Sequence, residues 1–185
     1  MTNGRGFTVG LCSAERLRQQ MDSFVALLQD AVEDGASVGF LPPLSGADAR
    51  AYWESVRVAI AAGARRLIVA EEGARVLGAV QLDLPVMPNA RHRGEVMKLI
   101  VHRLARRRGV GRALMQALER TAAALNRTLL VLDTRRGDAA AQLYTSLGYR
   151  EAGVIPRYAM SARGTLDDTL YMYRELGSAS TDRET

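Results

Sequence analysis

Glu95-Val-Met-Lys-Leu-Ile-Val-His-Arg-Leu-Ala-Arg-Arg-Arg-Gly-Val-Gly-Arg-Ala-Leu-Met115 reads as a strand, an anion loop and a helix in succession. Val96, Ile100 and Val101 around a single Lys98 make an apolar, β-branched run, as expected of a strand buried on both faces. From Val110 or Gly111 the period changes: Leu114, Leu118 and Leu125 recur at helical spacing with alanines between. The turn joining them is arginine-rich and punctuated by Gly109 and Gly111. The first turn of a helix leaves amide N–H groups without partners and carries the positive end of the helix dipole, so an anion is favoured there. Glycines admit a bulky anion close to the backbone, and arginines at 106, 107, 108 and 112 add charge and forked donors. A diphosphate fits such a turn.

Three anion motifs compete for it. A nucleotide triphosphate loop needs Gly-Lys-Ser/Thr, but Gly111 is followed by Arg112 and Ala113. A dinucleotide fingerprint needs a third glycine, where the chain has Leu114, although Asp133 could supply its acidic residue. The pattern Arg/Gln-x-x-Gly-x-Gly/Ala after a strand is met in full by Arg106-Arg107-Arg108-Gly109-Val110-Gly111. A basic turn capping an ordinary helix is the plainer alternative, and the rest of the chain has to decide.

The 185 residues suffice for one domain with a full core, and 48% hydrophobic with 24% charged residues is ordinary globular composition. No apolar run approaches the roughly 20 residues of a membrane span, and the first residues lack the apolar core of a signal peptide. Cys12 stands alone and can form no internal disulfide; a cytoplasmic enzyme is the expectation. A net charge of +5 asks for an anionic partner. The basic residues concentrate between Arg91 and Arg112, which suits one bound anion better than a long nucleic-acid track. Only 5% of residues are aromatic, leaving few platforms for stacked bases.

Residues 1–5 read as a loose start, 6–176 as one domain, and the polar stretch from Gly177 as a disordered tail. Within the domain the pattern predicts a strand over 6–11 and a helix capped by Ser13 running to Glu33, then a Gly/Pro loop from Gly35 to Leu44. A second helix follows over 48–62 and a hairpin over 67–71 and 76–84. The strand 95–101, a helix to about 125, a strand at 128–133, a helix over 138–147 and strands at 149–155 and 168–174 complete the order. The fold class is therefore α/β: a single domain with a mixed, mostly antiparallel twisted sheet of about seven strands and about four helices.

That order, with the Arg106–Gly111 motif, resembles the GCN5-related N-acetyltransferases (GNAT) over about 6–175. Ala141-Gln-Leu-Tyr-Thr-Ser-Leu-Gly-Tyr-Arg150 looks like a second signature of the family, a tyrosine-bearing helix ending in Leu-Gly-Tyr/Phe. Gly35-Ala-Ser-Val-Gly-Phe40, Glu95 and Leu132-Asp-Thr134 are similar to the tabtoxin-resistance branch. The resemblance implies acetyl-CoA as cofactor, its pantetheine arm along the backbone of Leu99, Ile100 and Val101. Its diphosphate would be held by Arg106, Arg107, Arg108, Gly109, Val110, Gly111 and Arg112. A backbone N–H of Leu99–Val101 would then polarise the thioester carbonyl and hold the oxyanion.

Amide formation needs a neutral amine beside the thioester. Deprotonation at neutral pH costs about 1.4 kcal/mol for an α-amino group but about 4 to 5 for a lysine-like amine. The departing thiolate leaves more easily if it receives a proton. The resemblance makes Tyr144 the general acid. Asp133 and Glu95, at strand ends, are the candidate bases or binders of a cationic substrate, Glu95 sharing a face with Leu99 if no bulge intervenes. Phe40 is a candidate acceptor contact. His92 and His102 lack a metal-ligand pattern, and Cys12 reads as a small buried hydrophobe. The expected reaction is direct transfer, in a ternary complex, of an acetyl group to a primary amine of a small molecule such as an amino-acid-like toxin or antibiotic. An N-terminal protein acetyltransferase of the same fold, or a basic nucleic-acid-binding module, are the alternatives. No metal, nucleic acid or membrane is expected, and a monomer or homodimer is.

Overall fold

The computed structural model describes residues 6–177; the loose start at 1–5 and the tail from 178 onward lie outside the described residues. Strand β1 (Thr8–Cys12) is followed by three helices, α1 (Ala14–Gln19), α2 (Met21–Glu33) and α3 (Gly46–Ala61). A meander of β2 (Arg65–Glu72), β3 (Arg75–Asp83) and β4 (Arg93–Val101) leads to α4 (Val110–Ala124). The chain closes with β5 (Leu129–Arg135), α5 (Ala139–Ser146), β6 (Arg150–Met160) and β7 (Leu166–Glu175). The seven strands form one sheet in the order β1-β2-β3-β4-β5-β7-β6, antiparallel except for β4 against β5. The strand count is as the sequence predicts.

Two differences have local causes. The helix expected from Ser13 to Glu33 breaks at Gln20, whose φ of -105 and ψ of 18 leave the helical region, so α1 and α2 are separate pieces. The last hairpin is longer than the expected 149–155 and 168–174. Pro156 reads as a strand breaker, but here it sits in an edge-strand bulge where its missing N–H costs nothing. Beside it Arg157 adopts φ 54 and donates its N–H to Asp168 at 3.0 Å.

Both faces of the sheet carry a core. On one, Leu82, Val96, Leu130, Leu114, Leu118 and Tyr144 pack beneath α4 and α5. On the other, Phe24, Leu28, Trp53, Leu67, Val69 and Ile100 pack beneath the first three helices, with the rings of Phe24 and Trp53 4.9 Å apart. Ser13 caps α1 and Ser45 caps α3, each accepting a backbone N–H, so the helices start where free amides find a side-chain oxygen.

Two irregularities in the middle of the sheet position the site. β4 pairs with β5 only over Arg93–Glu95 against Leu129–Val131, and beyond that the two parallel strands splay. Opposite Val80, β4 also carries one extra residue: Ala79 pairs with Ile100 but Gln81 with Met97, and Lys98 within the bulge adopts φ 49.

Candidate active site

The splay leaves one edge of β4 without a strand partner. His102 donates its N–H to Leu77 on the β3 side, and alternation along the strand sends the Ile100 amide the same way. The backbone groups of Leu99 and Val101 therefore face the gap, able to pair with an extended ligand. Of the three expected backbone contacts, two are so placed, whereas Ile100 is used within the sheet.

Beyond Val101 the chain turns through Arg103–Ala105 and enters α4 at Gly109, whose φ of 81 suits glycine. Arg107 is also left-handed, at φ 59. Among the described residues, the amides of 107–112 find no acceptor in the chain: Ala113, bonded to the Gly109 carbonyl at 3.0 Å, is the first to do so. These amides border a cleft of ≈ 700 Å³ that runs from Leu99, Ile100 and Val101 past Arg106, Arg107, Gly109, Val110, Gly111 and Arg112 to Leu143 of α5. A row of unsatisfied donors at a helix N-terminus, continuous with an unpaired strand edge, fits a diphosphate on a long extended arm.

The arginines divide. Arg107 lines the cleft and makes no ion pair among the described residues. Arg112 lines it while donating to Ser146 at 2.7 Å. Arg106 lines it too, held by Asp34 at 2.5 Å. Arg108 does not: its guanidinium pairs with Glu72 at 2.5 Å, toward the end of β2, which corrects the expectation that its side chain faces the anion. The turn is anchored from below by Asp30 of α2, which accepts the Arg103 N–H at 2.9 Å and its guanidinium as well. His102 caps the same turn, accepting the Leu104 N–H at 3.3 Å, and so serves structure.

The bulge corrects a second expectation. The extra residue puts Glu95 on the face of Met97 and Ile100, while Leu99 and Val101 pack on the opposite core. Glu95 thus belongs to the α2/α3 side of the sheet with Asp133, which lies in register with Tyr171. Asp133 is exposed and accepts a hydrogen bond from Thr169 at 3.3 Å. The Tyr171 hydroxyl donates to Tyr158 at 3.1 Å; that bond first, then burial and the charges of Tyr158, Asp133 and Glu95, push it up to about 12. Tyr144 on α5 is 5% exposed. Burial, reinforced by the charge of Asp133, raises its phenol well above the ordinary value, so it keeps its proton at neutral pH. The charge of Asp133 bears on Tyr144, Tyr171 and Lys98 alike, whereas Glu95 pairs with Val131, further back along the sheet.

Phe40 lies on the loop after α2, its ring 5.2 Å from that of Tyr52. It borders, with Arg135 of β5 and Ala159 and Met160 of β6, a cavity of ≈ 240 Å³. Tyr52 accepts from Gln81 at 2.7 Å, and Arg65 ties Gln81 to Asp83. Lys98 reaches the edge of this cavity: its ammonium lies beside Gly39, one of the lining residues, and 5.8 Å from the Tyr52 ring centroid. In the sequence it stands only as a lone polar residue in an apolar strand. Cys12 is buried and its thiol pushed up to about 12, chiefly by desolvation, as suits a packing residue.

A model of the acetyltransferase (GNAT) domain matches residues 63–151, from β2 to the start of β6 and across both halves of the cleft. That stretch of the chain is similar to the GNAT acetyltransferase domain. Solved structures share the GNAT fold over nearly the whole length. An N-acetyltransferase from Staphylococcus aureus Mu50 superimposes with a TM-score of 0.76 at 20% identity, over 95% of this chain and 100% of that one. A ribosomal-protein-alanine N-acetyltransferase from Brucella melitensis gives 0.73 at 23% identity, over 91% and 99%. YncA from Salmonella typhimurium, solved with its cofactor acetyl-CoA, gives 0.74 at 18% identity over 100% of both chains. Among the described residues, no helix is long and apolar enough to cross a membrane, and no three metal-ligating side chains cluster.

Proposed function

We propose that this chain is a GNAT acetyltransferase that transfers an acetyl group from acetyl-CoA directly to a primary amine of a small molecule. The observation that carries the reading is the unbroken run from the unpaired edge of Leu99 and Val101 to the unsatisfied amides of 107–112. It matches the shape of the donor, a diphosphate on an extended arm ending in an activated acetyl thioester. The amides of Leu99 and Val101 are aimed where a carbonyl oxygen gaining negative charge can accept from them. Asp133 takes the proton of the incoming ammonium, directly or through one water, with Glu95 as a more distant carboxylate. Tyr144, held protonated, gives its proton to the departing sulfur. Arg107 and Arg112 neutralise phosphate charge.

A cavity of ≈ 240 Å³ beside Phe40 is below the roughly 300–1,000 Å³ of pockets for drug-sized ligands, which favours a small acceptor such as the amino-acid-like compounds handled by the tabtoxin-resistance branch. Nucleic acid is disfavoured because much of the basic run is already neutralised: Arg103 by Asp30, Arg106 by Asp34 and Arg108 by Glu72. Calorimetric titration with acetyl-CoA tests the donor, and saturable one-to-one binding is expected; absence of binding overturns the reading. Thiol release with a panel of small amines and short peptides tests the acceptor. Turnover confined to the peptides would replace the small molecule by a protein N-terminus.

A further inference from the structure

Lys98 is the chain's single lysine; every other basic side chain apart from the two histidines is an arginine. It stands in the one place where β4 breaks register, in a left-handed conformation, φ 49, that non-glycine residues seldom adopt. From the bulge the side chain reaches toward Gly39, at the rim of the cavity beside Phe40. There Nζ lies over the Tyr52 ring and so close to Gly39 that a Cβ on that glycine would come within 3.2 Å.

The ammonium is half-buried, yet among the described residues it has neither an ion pair nor a hydrogen bond. Other cations of this face are paired: Arg65 with Asp83, and Arg135 with Asp167. Desolvation lowers the Lys98 pKa, opposed by the negative charge of Asp133. A cation withdrawn from water without a partner is costly, and a ligand anion would relieve that cost. The Tyr52 ring face attracts a cation but leaves its N–H donors unused.

The geometry points to Lys98 as the residue that selects the acceptor: it binds a carboxylate carried by the same molecule whose amine faces Asp133. Lys98 and Asp133 then form a dipolar pair that complements an amino acid, carboxylate toward the ammonium and amine toward the acid. This inference rests on the acetyltransferase reading and narrows its substrate class.

Matched pairs of L-α-amino acids and their carboxamides, assayed by thiol release from acetyl-CoA with the wild type and Lys98→Met, test it. Methionine keeps the stem and removes the charge. Comparing the acid-to-amide ratio between the two proteins cancels the difference in amine basicity within each pair. The wild type is expected to favour acids at least about tenfold more than the variant does, with the change in KM and with acetyl-CoA affinity and Tm unaltered. Equal losses on acids and amides would give Lys98 a general role and overturn the assignment. So would normal acetyl-CoA binding without any preference for acids, turnover of neither class included. Loss of acetyl-CoA binding in the wild type would instead remove the donor reading on which the inference stands.

Discussion

The donor loop at 107–112 offers main-chain amides, and its geometry is set by Gly109 and by the start of a helix. On the other face of β4 lie side chains brought from several elements: Phe40 beside Tyr52, Lys98 beside the Tyr52 ring, and Asp133 in register with Tyr171. A backbone cradle fits the part of a substrate that is common to every turnover. Side chains can be changed one residue at a time, so under the proposed function these would decide the identity of the amine. Substitutions should therefore separate: those on this face alter turnover or acceptor KM and spare donor affinity, those in the loop do the reverse.

The largest effects are expected at the proposed proton-transfer groups. Asp133→Asn and Tyr144→Phe each remove a proton-transfer group, and such groups contribute typically 10²–10⁴-fold. Both variants should lower kcat by about a hundredfold or more and leave the acetyl-CoA Kd within about twofold. Glu95→Gln, on the same face but further from Tyr144, should cost far less. Steady-state kinetics with calorimetric Kd values checks all three, and full activity of Tyr144→Phe would remove the acid from the mechanism.

The donor side was legible in sequence because it depends on local order. Arg106-Arg107-Arg108-Gly109-Val110-Gly111 after an apolar strand specifies free amides at a helix start whatever the rest of the fold does. The acceptor side was less so, because it depends on registers between distant strands. One extra residue opposite Val80 decides that Glu95 shares a face with Ile100 rather than Leu99 and that Lys98 reaches the Tyr52 ring. No periodicity in residues 95–101 announces that insertion. Side-chain partners across the fold are hidden in the same way: nothing local to Arg108 says that Glu72, on another strand, will hold it. The Gln20 break and the extended last hairpin are missed for a related reason, since each follows from packing or pairing beyond the local pattern.

Next in size are changes to the loop itself. Gly109 sits at φ 81, a conformation that a β-branched residue enters only with strain, so Gly109→Val should displace the amides. Losing two charge-assisted hydrogen bonds at about 1.5 kcal/mol each weakens acetyl-CoA binding by about a hundredfold. Arg107→Ala removes one side-chain contact and should cost about tenfold. If Arg107→Ala proved the worse of the two, side chains rather than backbone would dominate the donor site.

A smaller effect is expected beneath the loop, at Asp30. Burial raises the pKa of this carboxyl, but the backbone and side-chain bonds from Arg103, aided by the charges of His102 and Arg103, outweigh it, and the net shift is downward. A carboxylate with a folded pKa below its unfolded value stabilises the fold above that unfolded value, about 3.9, and loses the contribution as pH falls through the folded one. The Tm advantage of wild type over Asp30→Asn should thus be full at neutral pH and shrink below about pH 4. Thermal unfolding across that range checks the sign, and a gap that widened in acid would contradict the pairing.

The smallest expected effect discriminates best between motif and structure. By motif, Arg108 belongs to the phosphate loop as much as Arg107 does; by geometry its guanidinium is committed to Glu72, which that bond holds below the usual carboxylate range. Arg108→Ala keeps the amide in the cradle and removes only the exposed pair. The acetyl-CoA Kd should therefore change by less than about twofold, against about tenfold for Arg107→Ala, since an exposed ion pair contributes little and its loss leaves the cleft intact. Equal losses from the two variants, measured side by side at one salt concentration, would mean that Arg108 leaves Glu72 when the diphosphate arrives, and that the loop's side chains rearrange around its ligand.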